Sequence, residues 1–402
     1  MLDVHPGNGI LSIHLYHVRA WSVRALSGRT VRESGKNEKA GSRGTFLLWP
    51  SDTLATIPPQ SATLLLRFIA MHKPFTAFLF LVCSLVAGLV YALSAKPDLD
   101  TGTWHRAARA PTQRTEVAVA TLGGQIYVAG GFAKAPSGSP APFIVTPAFE
   151  AYDVARDRWT TKAPLPVGLH HAGIGVAGGK LYVIGGYQHH GAAASVYAYD
   201  PATDSWTERT PMPTARGALS VTEHDGTLYA IGGYDGTANS PAVEQYDPAR
   251  NSWTSRAPLL TPRDHLAAVT ANGQLYAIGG RVNGDYNRNL SVTERYDPAT
   301  DRWTRVADLP TPRSGITAAM VDGHIYVFGG ESGAGTFNQN EAYDPAHNTW
   351  QTMAPMPTSR HGLGSAVVQG QIYVIAGGPT PGASFSNLNE VFAPPVASSS
   401  SK

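Results

Sequence analysis

Cysteine is almost missing from this 402-residue chain, with Cys83 as its only example. Without a second cysteine there is no intrachain disulfide, and beyond residue 83 there is no thiolate to ligate a metal or act as a nucleophile. Charge of one sign is missing as well. The formal net charge is +2, but residues 1–95 hold 9 of the 31 Lys/Arg and only 4 of the 29 Asp/Glu, which leaves the rest of the chain near −3. A mixed, slightly acidic region of that kind excludes broad electrostatic attraction to nucleic acid. Long apolar runs are confined to one uncharged stretch of 19 residues at 75–93. Helical periodicity is weak, because 42 Gly and 30 Pro interrupt the chain and favour strands and turns.

What is present is a repeat. Tryptophan recurs at Trp104, Trp159, Trp206, Trp253, Trp303 and Trp350, with steps of 55, 47, 47, 50 and 47 residues. Between them, apolar runs end in glycine pairs at Gly130-Gly131, Gly185-Gly186, Gly232-Gly233, Gly279-Gly280, Gly329-Gly330 and Gly377-Gly378. A period near 47 built from short strands predicts one propeller blade per repeat. In the third unit a strand over 218–222 turns at Asp225-Gly226 into a second strand that ends at Gly232-Gly233. A third strand follows at 243–247, and a fourth holds Trp253. Seven residues separate the third-strand tyrosine from the tryptophan in five units, from Tyr152 and Trp159 to Tyr343 and Trp350, so the turn between them is fixed. The aromatics read as mortar between blades. The glycine pairs read as sites of close backbone approach.

This pattern of Arg, a hydrophobic-Tyr-hydrophobic run into Gly-Gly, Glu-x-Tyr-Asp-Pro and Trp resembles the Kelch repeat over residues 103–393. The resemblance implies an all-β, six-bladed Kelch propeller. Trp104 has no glycine pair before it, and the unit ending at Phe392 has no tryptophan after it. The Trp104 strand is therefore expected to complete the last blade as its outermost strand, a closure that removes exposed sheet edges.

The expected organisation is an unassigned extension at 1–70, a signal peptide or signal anchor at 71–95, the propeller at 96–393 and a disordered tail at 394–402. Met71 reads as a natural start, with the residues before it an over-extended reading frame, a disordered extension or a cytoplasmic segment. Small residues at Ala92-Leu93-Ser94 suit cleavage, and the length of the apolar run suits a retained anchor. In either case Lys73 and the upstream arginines leave the propeller outside, in the periplasm, secreted, or anchored at the inner membrane.

Strands that run up and down place the d-to-a and b-to-c connections on one face. The length variation lies in the b-to-c loops, longest at 132–147 and 281–291, so recognition is expected on that face. Arg114, Arg216, Arg263, Arg313 and Arg360 gather there, sixteen residues before the glycine pair, or seventeen in the last blade, while Leu169 stands in blade two. Two readings stay open for these arginines: a ring that grips carboxylates of a ligand, or pairing with Glu150, Glu244, Glu294, Glu341 and Glu390. Tyr187, Tyr234, Arg281 and Glu331, after the glycine pairs, are counted on the same face. One residue after the arginines, alternate blades carry His170, Asp264 and His361, conceivable as a metal site but too widely spaced to be expected as one. The next position carries Glu116, His171 and His265, an asymmetric set. No cofactor and no metal are expected.

The first functional expectation is an exported, non-catalytic monomeric propeller that binds a protein segment, an acidic peptide or a glycan. The resemblance to Kelch domains implies acidic peptide motifs held by arginines and polar loop residues of this face. Two alternatives stand beside it. One is a structural envelope protein. The other is a sugar mutarotase, suggested by the architectural resemblance to exported sialic acid mutarotases, in which a Glu and an Arg serve ring opening; no local motif here maps to them. Galactose-oxidase chemistry is excluded, since it needs a cysteine-crosslinked tyrosine.

Overall fold

The computed structural model describes residues 100–189 and 191–395. Cys83, the apolar run at 75–93, the first 70 residues, His190 and the tail from 396 lie outside the described residues. The chain divides into two units, Met1–Asp98 and Leu99–Lys402, and all of the described structure belongs to the second. Among the described residues no helix is long and apolar enough to cross a membrane, and every regular element is a strand.

Six four-stranded antiparallel sheets follow one another, each with its strands a, b, c and d in hydrogen-bonded order. The innermost strands a are Ala118–Leu122, Gly173–Ala177, Ser220–His224, Ala267–Ala271, Thr317–Val321 and Gly364–Val368. In blade three the strand begins two residues later than expected from the sequence, because Ala218 takes φ 52° and leaves the extended conformation. Strand Thr103–Arg106 pairs with Asn389–Ala393 and completes the sixth blade, as the circular fit of the repeat requires. The a-to-b turns have two left-handed central residues, for example Asp225 (φ 47°) and Gly226 (φ 76°), the backbone that matches the twist of a tight hairpin.

Three sets of contacts join each blade to its neighbour. At the rim, the constant Tyr-to-Trp spacing makes the two residues direct cross-strand partners, as in Tyr199 opposite Trp206. Each indole then donates to a carbonyl just past strand d of the adjacent blade: Trp206 Nε1 to Ala163 O at 2.8 Å, and Trp104 Nε1 to Ala354 O at 2.8 Å. Nearer the axis, the second residue of each pair donates its N–H to the carbonyl at the arginine position of the next blade, as from Gly186 to Arg216 (3.0 Å), from Gly233 to Arg263 (2.9 Å) and from Gly131 to Leu169 (2.7 Å). In five blades the first residue of the pair is glycine, and a Cβ on Gly185 would stand 2.6 Å from Arg216 O. In blade six the pair that does this is Ala376-Gly377 (φ 58° and 92°), one residue before the Gly377-Gly378 read from the sequence. The count from Arg360 thus returns to sixteen.

The third set is a closed ring. Two residues after each arginine position the chain turns left-handed, at Glu116, His171, Ala218, His265, Gly315 and Gly362. Each of these residues donates its N–H to the carbonyl of the one before it, at 2.7 to 3.1 Å, and Glu116 bonds back to Gly362. The six amides encircle the channel.

The five arginines are fully buried and do not line a binding face. Arg216 shows the arrangement: it donates to Glu244 of strand c (2.5 Å), to Gly232 O (2.7 Å) and to Ala230 O (3.0 Å). Arg114, Arg263, Arg313 and Arg360 pair in the same way with Glu150, Glu294, Glu341 and Glu390. The ligand-gripping reading is thereby corrected: each guanidinium is buried within its own blade, bonded to the glutamate of strand c and to a carbonyl of strand b. Blade two lacks both partners together, with Leu169 in place of the arginine and Tyr197 in place of the glutamate, both buried in one apolar cluster.

A buried pair is worth little more than a well-packed apolar pair, but a buried charge left alone is costly. Glu341→Leu should therefore destabilise the protein by about 3–5 kcal/mol, whereas Arg313→Leu combined with Glu341→Tyr, the blade-two combination, should recover most of that loss. Urea denaturation of the three proteins checks this, and a double variant as unstable as the single one would contradict it.

Candidate functional site

The residue after each arginine position forms a bridge with the residue after the glycine turn. His170 pairs with Tyr187, Gly217 with Tyr234, Asp264 with Arg281, Ser314 with Glu331 and His361 with Gly378. These bridges set two columns of side chains around the mouth of the channel, above the amide ring. The channel below has a cavity volume of about 160 Å³, bounded by Glu116, His171 and His265 and by small and aliphatic residues of the inner strands and the turns before them.

A polar cluster occupies the mouth. Arg281 lies at its centre, donating to Glu331 (2.8 Å) and to His265 Nε2 (2.8 Å), with its Nε 3.3 Å from Asp264. Its guanidinium also stacks 4.4 Å from the centre of the Tyr286 ring. His265 Nδ1 is 2.5 Å from Asp264 Oδ1, which fixes the proton on Nδ1 and leaves Nε2 to accept from Arg281. His171 Nε2 stands 3.1 Å from Glu116, and its Nδ1 is 2.5 Å from Nδ1 of His170. On the far side of Glu116, His361 Nε2 is 3.5 Å from Glu116 Oε1 and 3.5 Å from Glu331 Oε2.

Burial sets the protonation of the cluster. It pulls His171 well below the ordinary histidine range and His170 down to about 4, so both imidazoles are neutral at pH 7. Burial also lowers His265 and His361, against the opposing pull of nearby carboxylates. Glu116 is pushed up to about 8 by burial and then by the Glu331 carboxylate, with Arg281 acting in the other direction. A carboxylic acid that keeps its proton at neutral pH therefore lies beside a neutral imidazole.

Of the residues singled out from the sequence, Arg281 and Glu331 belong to this cluster. Tyr187 and Tyr234 lie half-buried on its rim, joined by a bond from Tyr187 Oη to Tyr234 O (2.8 Å). His170, Asp264 and His361 do not converge as a trio. The groups with ligand atoms within 4.8 Å of one another are Glu116, His171 and His265, and Glu116, Glu331 and His361. The first of these is the asymmetric column noted in the sequence. The second joins the two columns, and only the bridge between Ser314 and Glu331 reveals it.

The KLHDC2/KLHL20/DRC7 Kelch-repeats domain family matches residues 149–308 and 256–394. The chain belongs to the Kelch-repeat family. A Kelch-like protein, terF of Aspergillus terreus (strain NIH 2624 / FGSC A1156), is 33% identical over 75 residues, which are 19% of this chain and 16% of that protein. The chain thus aligns with less than a fifth of that Kelch relative's length. Among solved structures, that of YjhT superposes with a TM-score of 0.60 at 17% identity, over 71% of this chain and 95% of the other. At that identity the match bears on the fold, a Kelch β-propeller. As a scaffold of repeats this fold is consistent with a protein partner.

The raised Glu116 makes stability depend on pH. Between its ordinary value of 4.5 and about 8, Glu116 is protonated in the folded metal-free protein and ionised in the unfolded chain. Rising pH through that window therefore removes stability, at on the order of 1 kcal/mol per pH unit. Glu116→Gln should take this contribution away and shift the slope of stability against pH upward by that amount. Parallel wild-type and variant profiles from denaturation at pH 5 to 8 would contradict the assignment.

Proposed function

We propose that this Kelch propeller is a binding protein that takes a protein segment across the face formed by its b-to-c and d-to-a connections. The observation that carries the reading is the difference between the two faces. On the opposite face the a-to-b turns are two-residue hairpins. On this face the 132–147 loop builds a hairpin, Phe132–Lys134 with Phe143–Val145, which extends the short strand Arg114–Thr115 into a three-stranded sheet. Ile144 in its second strand and Leu260 in a d-to-a connection are exposed, at 38% and 60%. Half-buried aromatics continue the rim, with Phe132 against Phe143 (centroids 4.9 Å apart) and against His170 (3.9 Å). Exposed apolar and aromatic groups around a rigid polar centre are what peptide recognition uses.

Burial of the five arginines withdraws the support for an acidic peptide in particular, so apolar contact at the rim is the proposed basis of affinity. The 19-residue apolar run at 75–93 is the basis for proposing that binding takes place outside the inner membrane. A second reading, sugar mutarotation, is favoured by the protonated Glu116 beside neutral His171, an acid and a base at the mouth of a channel. Its weakness for an acidic sugar is that Arg281, the guanidinium of the cluster, already lies between Glu331 and Asp264.

Peptides selected from a displayed library on the full chain should bind at least about tenfold more weakly to Ile144→Ser, Leu260→Ser and Tyr234→Ala. Binding to Asp225→Lys, on the opposite face, should be unchanged. Loss confined to Asp225→Lys would contradict the choice of face. Anomer exchange measured by NMR, lost in Glu116→Gln, would instead establish the second reading.

A further inference from the structure

We infer that Glu116, Glu331 and His361 form a binding site for one divalent transition-metal ion, of which Zn²⁺ is the representative. The argument begins with the hydrogen atoms of His361. Its Nδ1 lies 3.1 Å from the carbonyl oxygen of Gly378, an acceptor only, so Nδ1 carries the proton and Nε2 presents a lone pair. That lone pair faces Glu116 Oε1 and Glu331 Oε2, both at 3.5 Å. When the two carboxylates are ionised, none of these three atoms offers a hydrogen to the others. Elsewhere in the cluster Arg281 donates to Glu331 and His265, and His265 to Asp264, while Arg281 Nε stands 3.3 Å from Asp264 without a hydrogen bond.

The distances suit an ion. Nitrogen and oxygen ligands at about 2.0–2.1 Å from a tetrahedral centre stand roughly 3.3–3.4 Å from one another. The two 3.5 Å separations are close to that edge, and all three ligand atoms lie within 4.8 Å of one another. Their supports resemble the outer shell of a metal centre. The Gly378 carbonyl fixes the His361 tautomer. Arg281 holds Glu331 through its other oxygen, and the Gly382 N–H reaches Glu331 Oε2 at 3.2 Å. Glu116 is the least buried of the three, at 10% side-chain exposure against 1% for His361 and for Glu331.

Charge points the same way. The mouth holds the carboxyl groups of Glu116, Glu331 and Asp264 against the single guanidinium of Arg281, a set of oxygen donors that attracts a cation. An imidazole with two carboxylates favours a transition metal over Ca²⁺, which takes six or more oxygens, and over Mg²⁺, which demands near-octahedral oxygen geometry. The other trio, Glu116, His171 and His265, is less suited, since both ring nitrogens of His265 are engaged by Asp264 and Arg281.

The test is Zn²⁺ uptake by the full chain, stripped with chelator, dialysed against Zn²⁺ and assayed for bound metal, with titration calorimetry for affinity. The expected result is one Zn²⁺ per chain, with at least about tenfold weaker binding in Glu331→Gln and in His361→Ala. His324→Ala, an exposed histidine on the opposite face, should bind as the wild type does. Circular dichroism confirms that each variant is folded, and anomalous diffraction at the zinc edge of the wild type locates the ion without any substitution. No uptake by the wild type would mean that the three groups share only a proton, and would overturn the proposal. So would an unchanged affinity in both ligand variants, a zinc peak elsewhere, or Mg²⁺ bound in preference to Zn²⁺.

Discussion

Closure of the amide ring is the constraint on which the rest of the structure depends. Six blades meet at the axis only if each sends one N–H to the carbonyl of its neighbour, and that geometry obliges one residue per blade to turn left-handed. A glycine accepts this conformation freely, and Gly315 and Gly362 use that freedom. Glu116, His171 and His265 adopt it with full side chains, which are thereby carried together at the mouth. The polar cluster is thus a consequence of how the propeller closes, with its members drawn from repeats far apart in the chain.

Around the ring, buried arginines brace five of the six blades, and the apolar packing of Leu169 and Tyr197 takes their place in blade two. Arg313, for example, ties Val327 of strand b and Gly329 of the turn after it to Glu341 of strand c. Its own carbonyl then accepts the N–H of Gly280 from the neighbouring blade, so one residue organises its blade with its side chain and the joint with its backbone. Rigid scaffolding beneath variable loops is an arrangement suited to recognition. Length variation is left to the 132–147 and 281–291 connections that flank the mouth.

Much of this was legible in the sequence. The tryptophan period gave the number of blades, and the seven-residue spacing corresponds to direct pairing of tyrosine with tryptophan, as in Tyr246 with Trp253. The unmatched ends of the repeat gave the closing strand. The role of the arginines was less plain, because a guanidinium at a loop entrance reads equally as ligand grip or strut. The clue lay in blade two, where the loss of arginine at Leu169 coincides with the loss of glutamate at Tyr197. The last glycine pair misled by residue type: Ala376 takes the left-handed position that the spacing of sixteen demands. The candidate site was half visible. Glu116, His171 and His265 formed a column, but Arg281 and Glu331 joined it only through bridges that depend on where each glycine turn ends.

Hydrogen exchange of the six ring amides tests the account at its centre. If the ring is the structural keystone, the N–H groups of Glu116, His171, Ala218, His265, Gly315 and Gly362 should exchange only on global unfolding, with protection matching the full stability of the protein. Exchange of those amides as fast as the amides of the 132–147 loop would show that the mouth opens on its own, and would contradict a rigid ring as the support of the site.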